Sequence, residues 1–132
     1  MSQRTHYGVM GVGHGLTMVA GSFRPNGTSA PTVFGPTIGS RGWSVVRTSA
    51  GLFTITLPDA YAATIALNAT LQMAAADDRF IQIGTVAGIT AANGTVQIRA
   101  MNIDTGAVAD VASNADNWIH FAFLFSNSSV NT

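Results

Sequence analysis

The stretch Thr64-Ile65-Ala66-Leu67-Asn68-Ala69-Thr70-Leu71-Gln72-Met73 decides the fold class. Ile65, Leu67, Ala69, Leu71 and Met73 alternate with Thr64, Asn68, Thr70 and Gln72, and only Ala66 is neutral to the pattern. Successive side chains of a strand point to opposite faces, so this segment has one apolar and one polar face. Its alanines leave a helix open, but the alternation fits a strand better. The uncharged run around it, residues 60–76, is short for a membrane span, and Thr64, Asn68, Thr70 and Gln72 would be poorly satisfied in lipid.

The same period of two recurs outward from this segment. Ile119, Phe121, Phe123 and Phe125 alternate with Trp118, His120, Ala122 and Leu124. Both faces there are largely apolar, which marks a central strand covered on both sides or a strand with one face in a subunit contact. Trp43, Val45 and Arg47 alternate with Ser44, Val46 and Thr48, and Phe53, Ile55 and Leu57 with Thr54 and Thr56; the short Ser49-Ala50-Gly51 between them predicts a tight hairpin with a bulge. A second hairpin is expected between residues 79–86 and 95–103, turning at Asn93-Gly94. Asp104-Thr105-Gly106 closes the next corner, and residues 107–116 allow one helical turn at most. Residues 16–24 read as a strand ended by the turn Pro25-Asn26-Gly27; residues 32–38, broken by Gly35 and Pro36, read as an edge strand or a loop. The pattern predicts an all-β domain, an antiparallel sandwich or barrel of about seven to eight strands spanning residues 16–132.

Residues 1–15 differ. Gly8, Gly11, Gly13 and Gly15 stand among Val9, Met10, Val12 and His14 without strand-and-turn rhythm. Glycine at this density carries a high entropic cost of ordering. Two readings stand level: an N-terminal arm that orders against a neighbouring subunit, and a first strand with glycine bulges.

Composition narrows function. Charged residues make up 9% of the chain, against about 25% in an average protein. All six acids are Asp and all six bases are Arg, while 47% of residues are apolar. A free monomer usually carries more charge, so much of the surface is expected to face protein. Zero net charge argues against a nucleic-acid surface. Without cysteine there is neither a disulfide framework nor a zinc-thiolate site.

Reactive groupings are weak. Gly11-Val12-Gly13-His14-Gly15 has glycines like a phosphate loop but lacks the Gly-Lys-Ser/Thr ending. His6, His14 and His120 have no spacing that gathers them around a metal. Asp77-Asp78 is the one adjacent carboxylate pair, no Gly-x-Ser-x-Gly elbow occurs, and the glycosylation patterns at Asn26, Asn68, Asn93 and Asn127 read as incidental. The chain is expected to be no enzyme and to need no cofactor or metal. Arg4, His6, Tyr7, Met10, His14, Trp118 and His120 are the candidate contact residues.

The segment from Arg47-Thr48-Ser49-Ala50-Gly51-Leu52-Phe53-Thr54-Ile55-Thr56 to Tyr61 resembles a piece of the small virion proteins of tailed bacteriophages. So does Asn117-Trp118-Ile119-His120-Phe121-Ala122-Phe123-Leu124-Phe125-Ser126-Asn127-Ser128-Ser129. The resemblance covers roughly residues 20–130 and rests on strand-and-turn pattern. It implies a head decoration, or cement, protein on the capsid exterior, a homotrimer whose partner is the major capsid protein, with no nucleic acid or membrane involved. A tail or fibre component with a receptor- or glycan-binding role is the alternative.

Overall fold

The computed structural model describes residues 9–11, 15–34 and 42–126. Among them are nine strands and no helix: β1 (Val9–Gly11), β2 (Leu16–Asn26), β3 (Ser29–Phe34), β4 (Ser44–Ser49), β5 (Leu52–Thr56), β6 (Ala63–Gln72), β7 (Arg79–Ala87), β8 (Thr95–Asn102) and β9 (Trp118–Ser126). They form two antiparallel sheets, the sandwich of the two architectures that the alternation allows. Sheet A runs β1-β2-β9-β6, with β3 also on β2; sheet B runs β4-β5-β8-β7. The eleven-residue β2 holds β1 and then β3 along one edge and β9 along the other.

The alternation places the core between the sheets. Sheet A contributes Val19 and Phe23 from β2 and Ile119, Phe121, Phe123 and Phe125 from β9. Sheet B contributes Val45, Phe53, Ile55, Val96, Ile98 and Ala100. Burying each larger side chain contributes roughly 1.5–3 kcal/mol. Phe53 tilts against Phe23 at 5.2 Å between ring centroids, joining the two layers. Trp43 stands edge-on to Phe121 at 4.8 Å. It fits because Gly21 lies opposite Phe121 in the ladder, where a Cβ would collide with the Trp43 ring.

Polar groups fasten the loop from β8 to β9. The Asp110 carboxylate accepts hydrogen bonds from Arg47 Nε and Nη2 (2.9 and 2.8 Å) and from the Gly51 amide (2.8 Å). The hydrogen bonds from Arg47, then the Gly51 amide and the Arg47 charge, outweigh partial burial and hold this carboxyl below the usual carboxylate range. Buried Asn117 accepts from the Ala74 amide and donates to the Ala112 carbonyl, tying the loop to the β6–β7 connection where β9 begins.

Several local expectations change. Pro25 does not start the turn; it lies buried inside β2, where a register shift between Arg24 and Asn26 accommodates its missing N–H, and Gly27 (φ 57°) makes the turn instead. In the β7–β8 connection Asn93 has the positive φ, 66°, but Gly94 does not. Gly94 is required by proximity, since a Cβ there would sit 2.7 Å from the Gly88 carbonyl oxygen. Residues 107–116 form no helical turn; Val108 bridges to Met101 instead. Within the span read as an arm, Val9–Gly11 forms β1, in keeping with the first-strand reading for those three residues. The remainder of residues 1–14 lies outside the described residues.

Two predictions follow from the packing. Gly21→Ala forces Trp43 off Phe121 and should destabilise the domain by about 1–3 kcal/mol in denaturant titration, a cost that Trp43→Phe in the same chain partly relieves. Tyr61 stacks on Phe125 at 4.6 Å, and its buried hydroxyl has no partner among the described residues. Burial, aided by the Asp59 charge, raises its pKa from 10.0 to about 12. The folded state therefore holds this proton longer than the unfolded state, so the contribution is intact below pH 10.0 and falls as pH rises towards about 12. Tyr61→Phe should keep or raise stability at neutral pH and flatten that alkaline decline in thermal melts; a melt profile as steep as the parent's would refute the assignment.

Candidate functional site on the outer face of sheet A

Register alone assembles the outer face of sheet A. Opposite β9, β2 supplies Ser22 to His120, Ala20 to Ala122 and Met18 to Leu124. On the other side β6 supplies Gln72 to Trp118, Thr70 to His120, Asn68 to Ala122 and Ala66 to Leu124. Opposite residues of an antiparallel pair share a face, so these side chains form one surface. One half is aromatic and polar. The other, built on Met18, Ala20, Ala122 and Leu124, is small and apolar, and these four side chains remain partly exposed.

The polar half is ordered by a chain of hydrogen bonds. Gln72 Nε2 donates to the Asp116 carbonyl at 3.3 Å, which turns Oε1 towards His120 Nε2 at 2.9 Å. An amide oxygen only accepts, so His120 carries its proton on Nε2. In the neutral ring Nδ1 is then the acceptor for the Ser22 hydroxyl at 2.6 Å. Trp118 lies parallel to the His120 ring, 6.2 Å between centroids and 10° between planes, and its Nε1 donates to the Ala115 carbonyl at 2.9 Å. The Arg24 guanidinium stands 6.0 Å from the Trp118 ring centre, within range of a cation–π contact.

A serine bonded to a histidine that is itself oriented by a third residue is the order found in activated nucleophiles. Two components of that chemistry are missing among the described residues. Gln72 is neutral and cannot stabilise an imidazolium as a carboxylate does. Ser22 lies in mid-strand between His120 of β9 and Phe34 of β3, so the backbone around it belongs to the ladders and presents no pair of donors to an oxyanion. What the row does provide is a rigid pattern of aromatic faces and polar tips.

Two of the seven contact residues expected from sequence, Trp118 and His120, come together here. Met10 sits in β1 opposite Met18, with its side chain outside the described set, and Arg4, His6, Tyr7 and His14 lie outside the described residues. No three His or Asp side chains gather as metal ligands among the described residues. Ser22, Arg24 and Gln72 escaped sequence reasoning because only strand register brings them to β9.

The hydrogen-bond chain fixes the imidazole tautomer: nitrogen-resolved NMR of His120 at neutral pH should show the proton on Nε2, and Ser22→Ala should leave it there. A dominant Nδ1–H form would refute the network. Searches against family models, curated proteins and solved structures give no match for this chain.

Proposed function

We propose that the chain is a non-enzymatic structural contact protein of a tailed-phage virion. In this reading it decorates the head exterior and stabilises contacts between major capsid subunits, docking through the outer face of sheet A. The observation that carries the proposal is the character of that face. Its two inner strands present Met18, Ala20, Ala122 and Leu124, partly exposed and uncharged, beside a polar row already held in place by its own hydrogen bonds. Small side chains allow close approach, and pre-ordered polar groups lose little entropy on binding. The phage assignment itself rests on the resemblance of residues 47–61 and 117–129 to virion proteins.

A second reading, a tail or fibre part that binds glycans, draws on a different half of the same face. Trp118 and His120 with Arg24, Gln72 and Thr70 combine ring faces with hydrogen-bonding tips, the pairing that sugars require.

Ala122→Arg and Trp118→Ala separate the two. Under the decoration reading, Ala122→Arg buries an unpaired charge and should weaken co-sedimentation with expanded, undecorated phage heads roughly tenfold or more, with circular dichroism unchanged. Hundreds of copies per particle would accompany it. Under the glycan reading, Trp118→Ala abolishes glycan-array binding and the copy number stays at a few dozen or below. Unaltered head binding by Ala122→Arg would remove the outer face from the proposal.

A further inference from the structure

We propose that β6 is a self-pairing edge: two copies of the chain join antiparallel along residues 66–72, about a two-fold axis at Ala69, making one continuous sheet from two copies of sheet A. This inference concerns the edge of the sheet and is independent of what docks on its face.

An edge strand exposes a row of unpaired N–H and C=O groups, and proteins usually guard it with charge, proline, a bulge or shortness. The other edges carry such guards. On the opposite side of sheet A, β3 contains Pro31. In sheet B, β4 carries Arg47 with a register shift after it, while β7 carries Arg79 and an irregularity between Ile83 and Val86. β6 is ten residues long, with neither charge nor proline, and it pairs with no strand beyond β9 among the described residues. Its single irregularity falls at its start, between Thr64 and Ala66, and leaves residues 66–72 in unbroken register with β9.

The sequence of that unbroken run points to a second copy as the occupant. Ala66-Leu67-Asn68-Ala69-Thr70-Leu71-Gln72 is nearly symmetric about Ala69. Antiparallel pairing about Ala69 sets Leu67 of each chain opposite Leu71 of the other, and Asn68 opposite Thr70. Opposite residues then share a face: the leucines, half-buried against the core, meet on the inner side, and the polar pair meets on the outer side. Such a contact is isologous, and every pair occurs twice. It differs from the three-fold association that the resemblance implies, because a strand pairing with its own copy closes after two chains.

Light scattering across a concentration series, with hydrogen exchange on the full chain, tests the pairing. The expected result is a mass rising from 13.7 kDa to twice that value, with amides of residues 66–72 protected at high concentration and exchanging on dilution. Asn68 and Thr70 are exposed, so charges there leave the fold intact. Asn68→Lys with Thr70→Lys places like charges opposite each other at both cross-pairs and should abolish association. Asn68→Asp with Thr70→Lys places opposite charges at the same positions and should retain it. A single-chain mass at every concentration, a three-chain mass with residues 66–72 exchanging freely, or equal behaviour of the two variants would each overturn the proposal.

Discussion

The rest of the molecule is arranged around the two-sided pairing of β9. Its register is continuous with β2 from Ile119 to Ser126 and covers the full strand with β6, apart from one irregularity near the end. On its inner face Ile119, Phe121, Phe123 and Phe125 are all buried in the core, and the three phenylalanine rings contact one another in sequence. A one-residue slip would exchange these rings for His120, Ala122 and Leu124, so burial fixes the register strongly. Once that register is set, the outer face has no freedom left: Ser22, Thr70 and Gln72 must gather around His120 and Trp118.

This explains which features the sequence discloses and which it withholds. The face to which each side chain points is a local property, written in alternations such as Leu67 to Met73 and Ile119 to Phe125. The all-β class follows from it, whereas the choice of two sheets over a closed barrel does not. Ile65, expected on the apolar face, is exposed because the ladder shifts between Thr64 and Ala66. Gly51 at the β4–β5 turn, with φ 68°, is equally local. Neighbourhood between strands is not. Ser22 is 98 residues from His120, and Gln72 is 48 residues away, so nothing near His120 in the chain announces its hydrogen-bond partners. The edge position of β6 is hidden for the same reason, because identical alternation would suit a strand inside a sheet. Pro25 misleads by a different route: proline ordinarily marks a turn, and only the register shift in the β2–β3 ladder lets it stay inside a strand.

The scarcity of charge acquires a spatial meaning in the folded chain. Two ion pairs, Arg47 with Asp110 and Arg79 with Asp78, lie where the loop from β8 to β9 crosses the sandwich. Arg79 Nε also donates to the Asp110 carbonyl, so both arginines hold one short segment of that loop. Exposed pairs of this kind stabilise little on their own, but bidentate geometry and a shared backbone anchor give direction to a loop without regular structure. The outer face of sheet A has a different composition. Arg24 stands at one end against Trp118, and the rows from Ser22–His120–Thr70 to Met18–Leu124–Ala66 contain no Asp or Arg. Charge thus ties the β8–β9 loop to the sandwich and is absent from these outer-face rows.

The two proposed contact regions differ in direction as well as composition. The outer face of sheet A presents side chains along the sheet normal, whereas the free side of β6 presents backbone groups within the sheet plane. Contacts through one therefore leave the other accessible, and joining two sheets through β6 would double the area of the face without changing its chemistry. The row Arg24–Trp118–Gln72 and its neighbour Ser22–His120–Thr70 would then occur twice on a common surface, related by the axis at Ala69. Two copies of one docking surface at fixed spacing bind a repetitive partner more tightly than the same surfaces on separate chains, because the second contact is intramolecular. The shell of identical subunits proposed as the partner would be repetitive in that way, so joining two chains through β6 would strengthen docking without any new contact on the face.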